Sequence, residues 1–211
     1  MKARTRRLWD SFNQHPGDRQ RLFTTVADAF DISTALYPGC YVDITPSFVL
    51  ETVTYLDVDR RAAQFFADTA GVDELIAGHR DDGEPADWSF LPADYTSGLT
   101  LPEQHYDLLI SLYAGFVSEH CSRHLRPGGL LLVNPSHGDA AMASLDRRYR
   151  LVAAITSRDG KYTVRREDLN TYLVPKRDTE ITREALHASN RGIAYARPAF
   201  AYVFETGSRS A

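Results

Sequence analysis

Apolar positions in this chain gather into short continuous runs, and the stretches between them repeat at helical spacing. Leu22, Phe23, Val26 and Phe30 recur at intervals of one, three and four, predicting a helix from Asp18 to Phe30 behind the Pro16-Gly17 break. Thr34 to Tyr37 follows as a strand, and Val53 to Leu56 as a second that ends on Asp57. Asp59 is placed to cap a helix carrying Ala62, Ala63, Phe65 and Phe66, with Gly71 as its stop. Trp88 to Leu91 and Tyr106 to Leu112 read as strands three and four. A helix from Phe116 to Leu125, the turn Arg126-Pro127-Gly128-Gly129 and strand five at Leu130 to Asn134 complete this part. Apolar strands alternating with helices are what a parallel sheet covered on both faces requires, so residues up to 134 predict a doubly wound α/β fold.

The last third differs. Tyr149 to Ile155 and Tyr162 to Arg165 flank Arg158-Asp159-Gly160-Lys161, and Asp-Gly tolerates the positive φ angles of a type I′ hairpin turn. Glu167 to Leu173 and Thr182 to Ser189 read as helical, with Gly192 as a C-terminal cap. Phe200 to Phe204 alternates as a closing strand before a GSRSA tail expected to be disordered, and residues 77–87 are the most loop-like internal stretch. Residues 157–198 thus form an insertion before the last strand, placed to act as a lid or a dimer contact.

With 211 residues, 43% apolar and 25% charged, the chain suits a single globular domain, 1–211, that needs no covalent staple. Cys40 and Cys121 cannot build a disulfide framework, so a reducing cytoplasm is the expected setting. No apolar run approaches the roughly 18 residues of a membrane span, and the basic start lacks a signal-peptide core. The net charge of −4 is uneven. Residues 1–21 hold six Lys/Arg against Asp10 and Asp18, whereas the remainder is acidic. The basic arm, residues 1–17, could meet nucleic acid, but an acidic body disfavours a general nucleic-acid binder. A solvated terminus, or an arm pinned on its own acidic body, is the simpler reading. The insertion is mildly basic, nine Lys/Arg against six Asp/Glu, which would suit an anionic substrate.

Ligands of open α/β sheets bind beyond the carboxyl ends of the strands. That rule selects Tyr37 to Asp43, Asp57, Asp94, Ser111 to Tyr113, and Asn134 to Asp139. A carboxylate ending strand two can accept both hydroxyls of a ribose, which makes Asp57 a nucleoside anchor. Residues 30–137 resemble the class I S-adenosylmethionine-dependent methyltransferases. The specific stretches are YDLLISLYAGFVSEHCSRHLRPGGLLLVN (106–134), TYLDVD (54–59) and FLPADY (90–95). The resemblance implies a Rossmann-like, mostly parallel seven-stranded sheet with an antiparallel last strand, and S-adenosylmethionine as cofactor. It also implies that Asp57 binds the ribose, that Asp94 meets the adenine amino group and that Tyr95 flanks the adenine. Gly39-Cys40 falls where the family places a Gly-Cys pair, and Ser111 ends strand four beside the cofactor.

The first loop departs from the family. Tyr37 stands at the acidic position, and Tyr41 and Asp43 stand where glycines are expected. Two readings follow. Either Asp43 supplies the carboxylate for the cofactor's amino group while a tyrosine ring faces the sulfonium, or the fold persists without its cofactor. Pro46 predicts that the next helix starts late, near Ser47, or does not form fully.

On the substrate side stand Tyr113 and His137, the latter as a base or a helix cap. Asn134-Pro135-Ser136-His137 only partly matches the Asn-Pro-Pro-Tyr motif of amino-group methyltransferases. His120 and His124 share a helix face with Cys121, but no further ligands follow at zinc spacing, so no metal is expected. Cys40 has no partner base, and P-loop, GxGxxG and GxSxG sequences are absent. No catalytic residue can be named. The favoured function is methyl transfer to an unknown substrate, and the alternative is a non-catalytic binding module. A homodimer stays open, and no membrane partner is expected.

Overall fold

A computed structural model describes residues 1–80, 86–178 and 180–207. The centre of the 77–87 loop and all but the first residue of the 207–211 tail lie outside them. The chain forms two compact units, Met1–Leu99 and Thr100–Ala211.

The first unit begins with two helices, α1 (Ala3–Phe12) and α2 (Asp18–Ala29). Its strands are β1 (Thr34–Pro38), β2 (Thr52–Leu56) and β3 (Asp87–Leu91), in the order β3-β2-β1 and all parallel. Helices α3 (Arg60–Phe66) and α4 (Thr69–Ala77) connect β2 to β3. Asp59 caps α3 through Arg61 N–H, as its position predicts. Gly71, however, is no stop: it lies inside α4. The break comes at Asp68, whose carboxylate is taken by the backbone N–H of Lys2 (2.7 Å) and the hydroxyl of Thr5 (2.6 Å). The helix expected after Pro46 is reduced to a 3-10 turn, Thr45–Phe48. The basic arm is the helix α1, and Trp9 within it is buried. The terminal amine pairs with Glu74 at 2.8 Å, so the arm is held on its own unit.

The second unit contains β4 (Tyr106–Ser111), α5 (Val117–Cys121), β5 (Leu125–Val133), α6 (Asp139–Leu145), β6 (Tyr149–Arg158), β7 (Lys161–Arg165), α7 (Arg183–Ser189) and β8 (Ala201–Thr206). Its strand order is β4-β5-β8-β6-β7. Only β4 and β5 pair in parallel; β5–β8, β8–β6 and β6–β7 are antiparallel.

The described residues therefore hold eight strands in a mixed arrangement, not seven mostly parallel ones. The additional strand is β7, which the insertion contributes by pairing with an extended β6. Its turn has Asp159 and Gly160 at φ 52° and 72°, the two positive angles a type I′ turn demands. The Pro-Gly-Gly segment is absorbed into β5, not standing as a separate turn before it. The helix predicted up to Leu125 is shorter, α5 followed by a 3-10 turn at Ser122–His124. Glu167 to Leu173 also yields only a 3-10 turn, Leu169–Leu173. No helix among the described residues is long and apolar enough to cross a membrane.

Candidate functional site

In the first unit the register Pro38↔Leu56↔Leu91 brings the loop after β1, Asp57 and the segment leading to Asp94 to one end of the strands. Asp57 is half-buried there. Its Oδ2 accepts the N–H of Tyr41 and its Oδ1 that of Asp59, each at 2.7 Å. A carboxylate oxygen has two acceptor positions, so one on each remains beyond these bonds for a vicinal diol. Tyr41 reaches Asp57 only because its backbone is left-handed, φ 50°, a conformation that costs a non-glycine residue about 1 kcal/mol. The backbone at Tyr41 thus takes a conformation that favours glycine, as Gly39 does at φ 68°.

The rest of this loop turns inward. Tyr37 is 2% exposed; its ring packs against Phe23 and Tyr55, and its hydroxyl donates to Asp43 Oδ2 at 3.1 Å. Burial first, then the Asp43 charge, pushes this phenol well above its ordinary pKa. Asp43, 1% exposed, also accepts the N–H and hydroxyl of Thr45. Neither residue is presented to a ligand, which corrects the expectation that Asp43 supplies the amino-group carboxylate. The tyrosine left to face outward is Tyr41. Arg61 already lies 5.0 Å over its ring, and Phe12 meets it edge-on at 6.3 Å. The loop amides at 39, 41 and 43 are committed to Leu56 O, Asp57 and Cys40 O. Cys40 is buried, and desolvation holds its thiol far above the range of a nucleophile.

Asp94 is exposed and folds an Asx turn, its Oδ1 accepting both the N–H and the hydroxyl of Thr96 at 2.8 Å. Tyr95 follows it, half-buried. Sequence reasoning passed over Val58, which projects from beside Asp57 with 68% exposure. Its place in the sequence, an apolar residue between Asp57 and Asp59 just past the end of β2, was the available signal.

In the second unit the pair Ser111↔Val133 sets the ends of β4 and β5 level. Ser111 does not face a ligand: it is 1% exposed and donates to Asp139 Oδ2 at 2.5 Å. Asp139, at the start of α6, also accepts the hydroxyl and N–H of Ser118. Desolvation raises its carboxyl to about 6 against those bonds. Tyr113 is 52% exposed with a left-handed backbone, φ 60°. Its N–H donates to Asn134 Oδ1 at 3.1 Å. Ser136 Oγ lies 2.8 Å from the same oxygen and 2.8 Å from His137 Nδ1. Tyr113, Asn134, Ser136 and His137 are therefore one connected group. Gly192 does not cap α7; Asn190, at φ 47°, does. Gly192 instead donates to Ser136 O, and a Cβ on it would stand 1.7 Å from Pro135 O. The tail of the insertion rests directly on this loop.

The histidine pair is divided, His120 on α5 and His124 in the 3-10 turn after it, and it does not form a metal site. His124 is buried, with Nδ1 2.9 Å from Pro102 O and Nε2 accepting from Arg123 Nε at 3.2 Å, so both nitrogens are used.

Compared by sequence, the chain matches no family model and no curated protein. Compared by structure, it is similar to an O-methyltransferase from Klebsiella pneumoniae, named as such without proof of activity. The identity is 14%, over 78% of this chain and 88% of that one, with a TM-score of 0.51. A SAM-dependent O-methyltransferase from Thermotoga maritima is similar at 11% identity, over 92% of this chain and 66% of that one, TM-score 0.50. The cyclase SpnF shares 22% identity, but the chain spans only 44% of its length, TM-score 0.40. At such identities the likenesses to the two O-methyltransferase structures establish a fold and no activity.

Proposed function

Starting from a chain with the Rossmann-like fold of class I methyltransferases, we propose that it catalyses S-adenosylmethionine-dependent methyl transfer to an acceptor of unassigned class. The observation that carries this reading is Asp57, whose two oxygens are each oriented by one backbone N–H at 2.7 Å. The residues present fit the adenosyl half of the cofactor: Asp57 for the ribose diol, Val58 for the base, with Asp94 and Tyr95 beyond. When bound, the cofactor supplies an electrophilic methyl group on a sulfonium, and the protein's task is alignment.

On the acceptor side the proposal assigns Tyr113 to flank the substrate and His137 Nε2 to take the proton the acceptor gives up. Asn134 Oδ1 faces the Tyr113 N–H, which can only donate, so it is an oxygen. Ser136 must then give it its one proton, and His137 Nδ1 must donate to Ser136. The neutral imidazole is left with a lone pair on Nε2, the form a general base needs. The insertion, seated on Pro135 and Ser136, forms a fixed wall of this loop.

One observation favours a second reading, a binding module that kept the fold. Tyr37 and Asp43 satisfy each other, and Arg61 covers Tyr41, so the loop after β1 offers little to a methionine tail. Calorimetry with S-adenosylmethionine and S-adenosylhomocysteine decides between them. Binding of both supports the enzyme; no heat and no thermal shift at millimolar ligand overturns it.

A further inference from the structure

Strands β6 and β7 oppose Arg158 to Lys161, Thr156 to Thr163 and Ala154 to Arg165. Directly opposed residues of an antiparallel pair share a face, so Arg158, Lys161 and Arg165 project on the same side of the hairpin. Like charges placed opposite each other destabilise a hairpin, and Arg158 and Lys161 are such a pair. Asp159, the one carboxylate among the lining residues, sits in the turn at 3.6 Å from Arg158 with both side chains almost fully exposed, too solvated to neutralise the face.

A fourth cation closes the arrangement. Arg197 lies with its guanidinium 4.1 Å over the ring of Tyr172, which is buried, and its Nη1 donates to Thr171 Oγ1 at 3.0 Å. Stacking and this bond hold the guanidinium flat without cancelling its charge. Between Arg197 and the hairpin face lies a cleft of about 690 Å³, within the range of small-molecule sites. Ala154 and Val133 are both level with Tyr202, so β6 runs four residues, or about 13 Å, past the carboxyl end of β5. The cleft therefore opens at the same end of this unit as the Asn134–His137 loop.

We propose that this cleft binds the phosphoryl group of a small phosphorylated metabolite. Four cations converge on one concavity, and arginine forks suit the several oxygens of a phosphate dianion better than a single carboxylate. Nucleic acid fits less well, since it needs a basic stripe on a basic body, whereas this chain carries −4 overall. The inference stands on the second unit alone and does not depend on the cofactor assignment.

The test is calorimetry on the full chain at low salt, with inorganic pyrophosphate as probe and a single-stranded oligonucleotide as the competing class. Pyrophosphate is expected to bind with sub-millimolar Kd. The Lys161→Gln/Arg165→Gln variant should weaken it at least about tenfold, as should Arg197→Ala. The double variant removes exposed charges only, so its thermal midpoint should hold or rise, and it keeps the test valid if Arg197→Ala unfolds. No binding at millimolar pyrophosphate, unchanged affinity in the double variant, or an oligonucleotide bound more tightly than pyrophosphate would each overturn the proposal.

Discussion

Asn134 Oδ1 accepts the backbone N–H of Tyr113 at 3.1 Å, and this bond sets the proton arrangement of the whole loop after β5. Since Ser136 must donate to the same oxygen, His137 carries its proton on Nδ1. Nitrogen-15 spectra of the imidazoles should show the neutral His137 as the Nδ1–H tautomer. Ser136→Ala removes the acceptor, and the resonances should move toward the mixture of an unconstrained ring. An Nε2–H tautomer in the unaltered protein would refute the assignment of Nε2 as base.

Asp57→Ala should weaken S-adenosylhomocysteine binding by about tenfold or more, the loss of at least one charge-assisted hydrogen bond. Adenosine should bind within about tenfold of S-adenosylhomocysteine, because the amides at 39, 41 and 43 are committed within the unit. Unchanged affinity in the variant would show that the ribose is anchored elsewhere.

Asp139 makes stability depend on pH in a direction opposite to most carboxylates. Its folded pKa, about 6, lies above the ordinary 3.8, so the buried group prefers to be neutral. Its contribution is fully present below the unfolded value and declines as pH rises through the folded one. Between roughly pH 4 and 6 the wild type should lose on the order of 3 kcal/mol relative to Asp139→Asn, about two pKa units. Denaturant unfolding of both proteins at pH 4 and pH 7 measures this; a constant difference between them would contradict it.

The docking of α1 rests on Asp68, whose carboxyl is held below its usual range chiefly by the Thr5 hydroxyl and the Lys2 N–H. A lowered folded pKa means that this contribution is present above the unfolded value and is lost as pH falls into the carboxylate range. Asp68→Ala should accelerate amide exchange in α1 and shift Trp9 emission to the red, leaving β4 and β5 protected. Uniform loss of protection would instead mean that the first helix is part of the global core.

Gly192→Ala places a methyl group 1.7 Å from a backbone carbonyl oxygen, which no rotamer change can relieve. The variant should lose more than about 2 kcal/mol of stability, with shifts concentrated at Pro135–His137 in a nuclear magnetic resonance spectrum. A thermal midpoint close to wild type would show that the insertion is not seated on that loop.

Much of this was legible in the residue order. The runs at 34–37, 53–56, 88–91 and 106–112 became strands because each is a short, mainly apolar stretch bounded by turn residues, which a sheet buries on at least one face. Asp59 and the Asp159-Gly160 turn were readable because a cap and a type I′ turn depend on a few adjacent residues. Helix α1 was not, since its period is carried by Thr5 and Trp9 amid arginines and its support comes from Asp68 and Glu74, far along the chain.

Sequence alone thus determined the α/β pattern, the position of Asp57 at the end of β2 and the charge contrast between the arm and the rest. Only the tertiary structure decided how the polar groups are spent. Asp43 went to Tyr37 and Thr45, Ser111 to Asp139, and Gly192 to the Pro135 loop, while Arg197 was laid on Tyr172 beside three other cations. Local pattern reports which residues are near one another along the chain. Whether a carboxylate faces a ligand or a buried hydroxyl depends on partners brought together by folding, and on the cost of leaving either one unpaired in the interior.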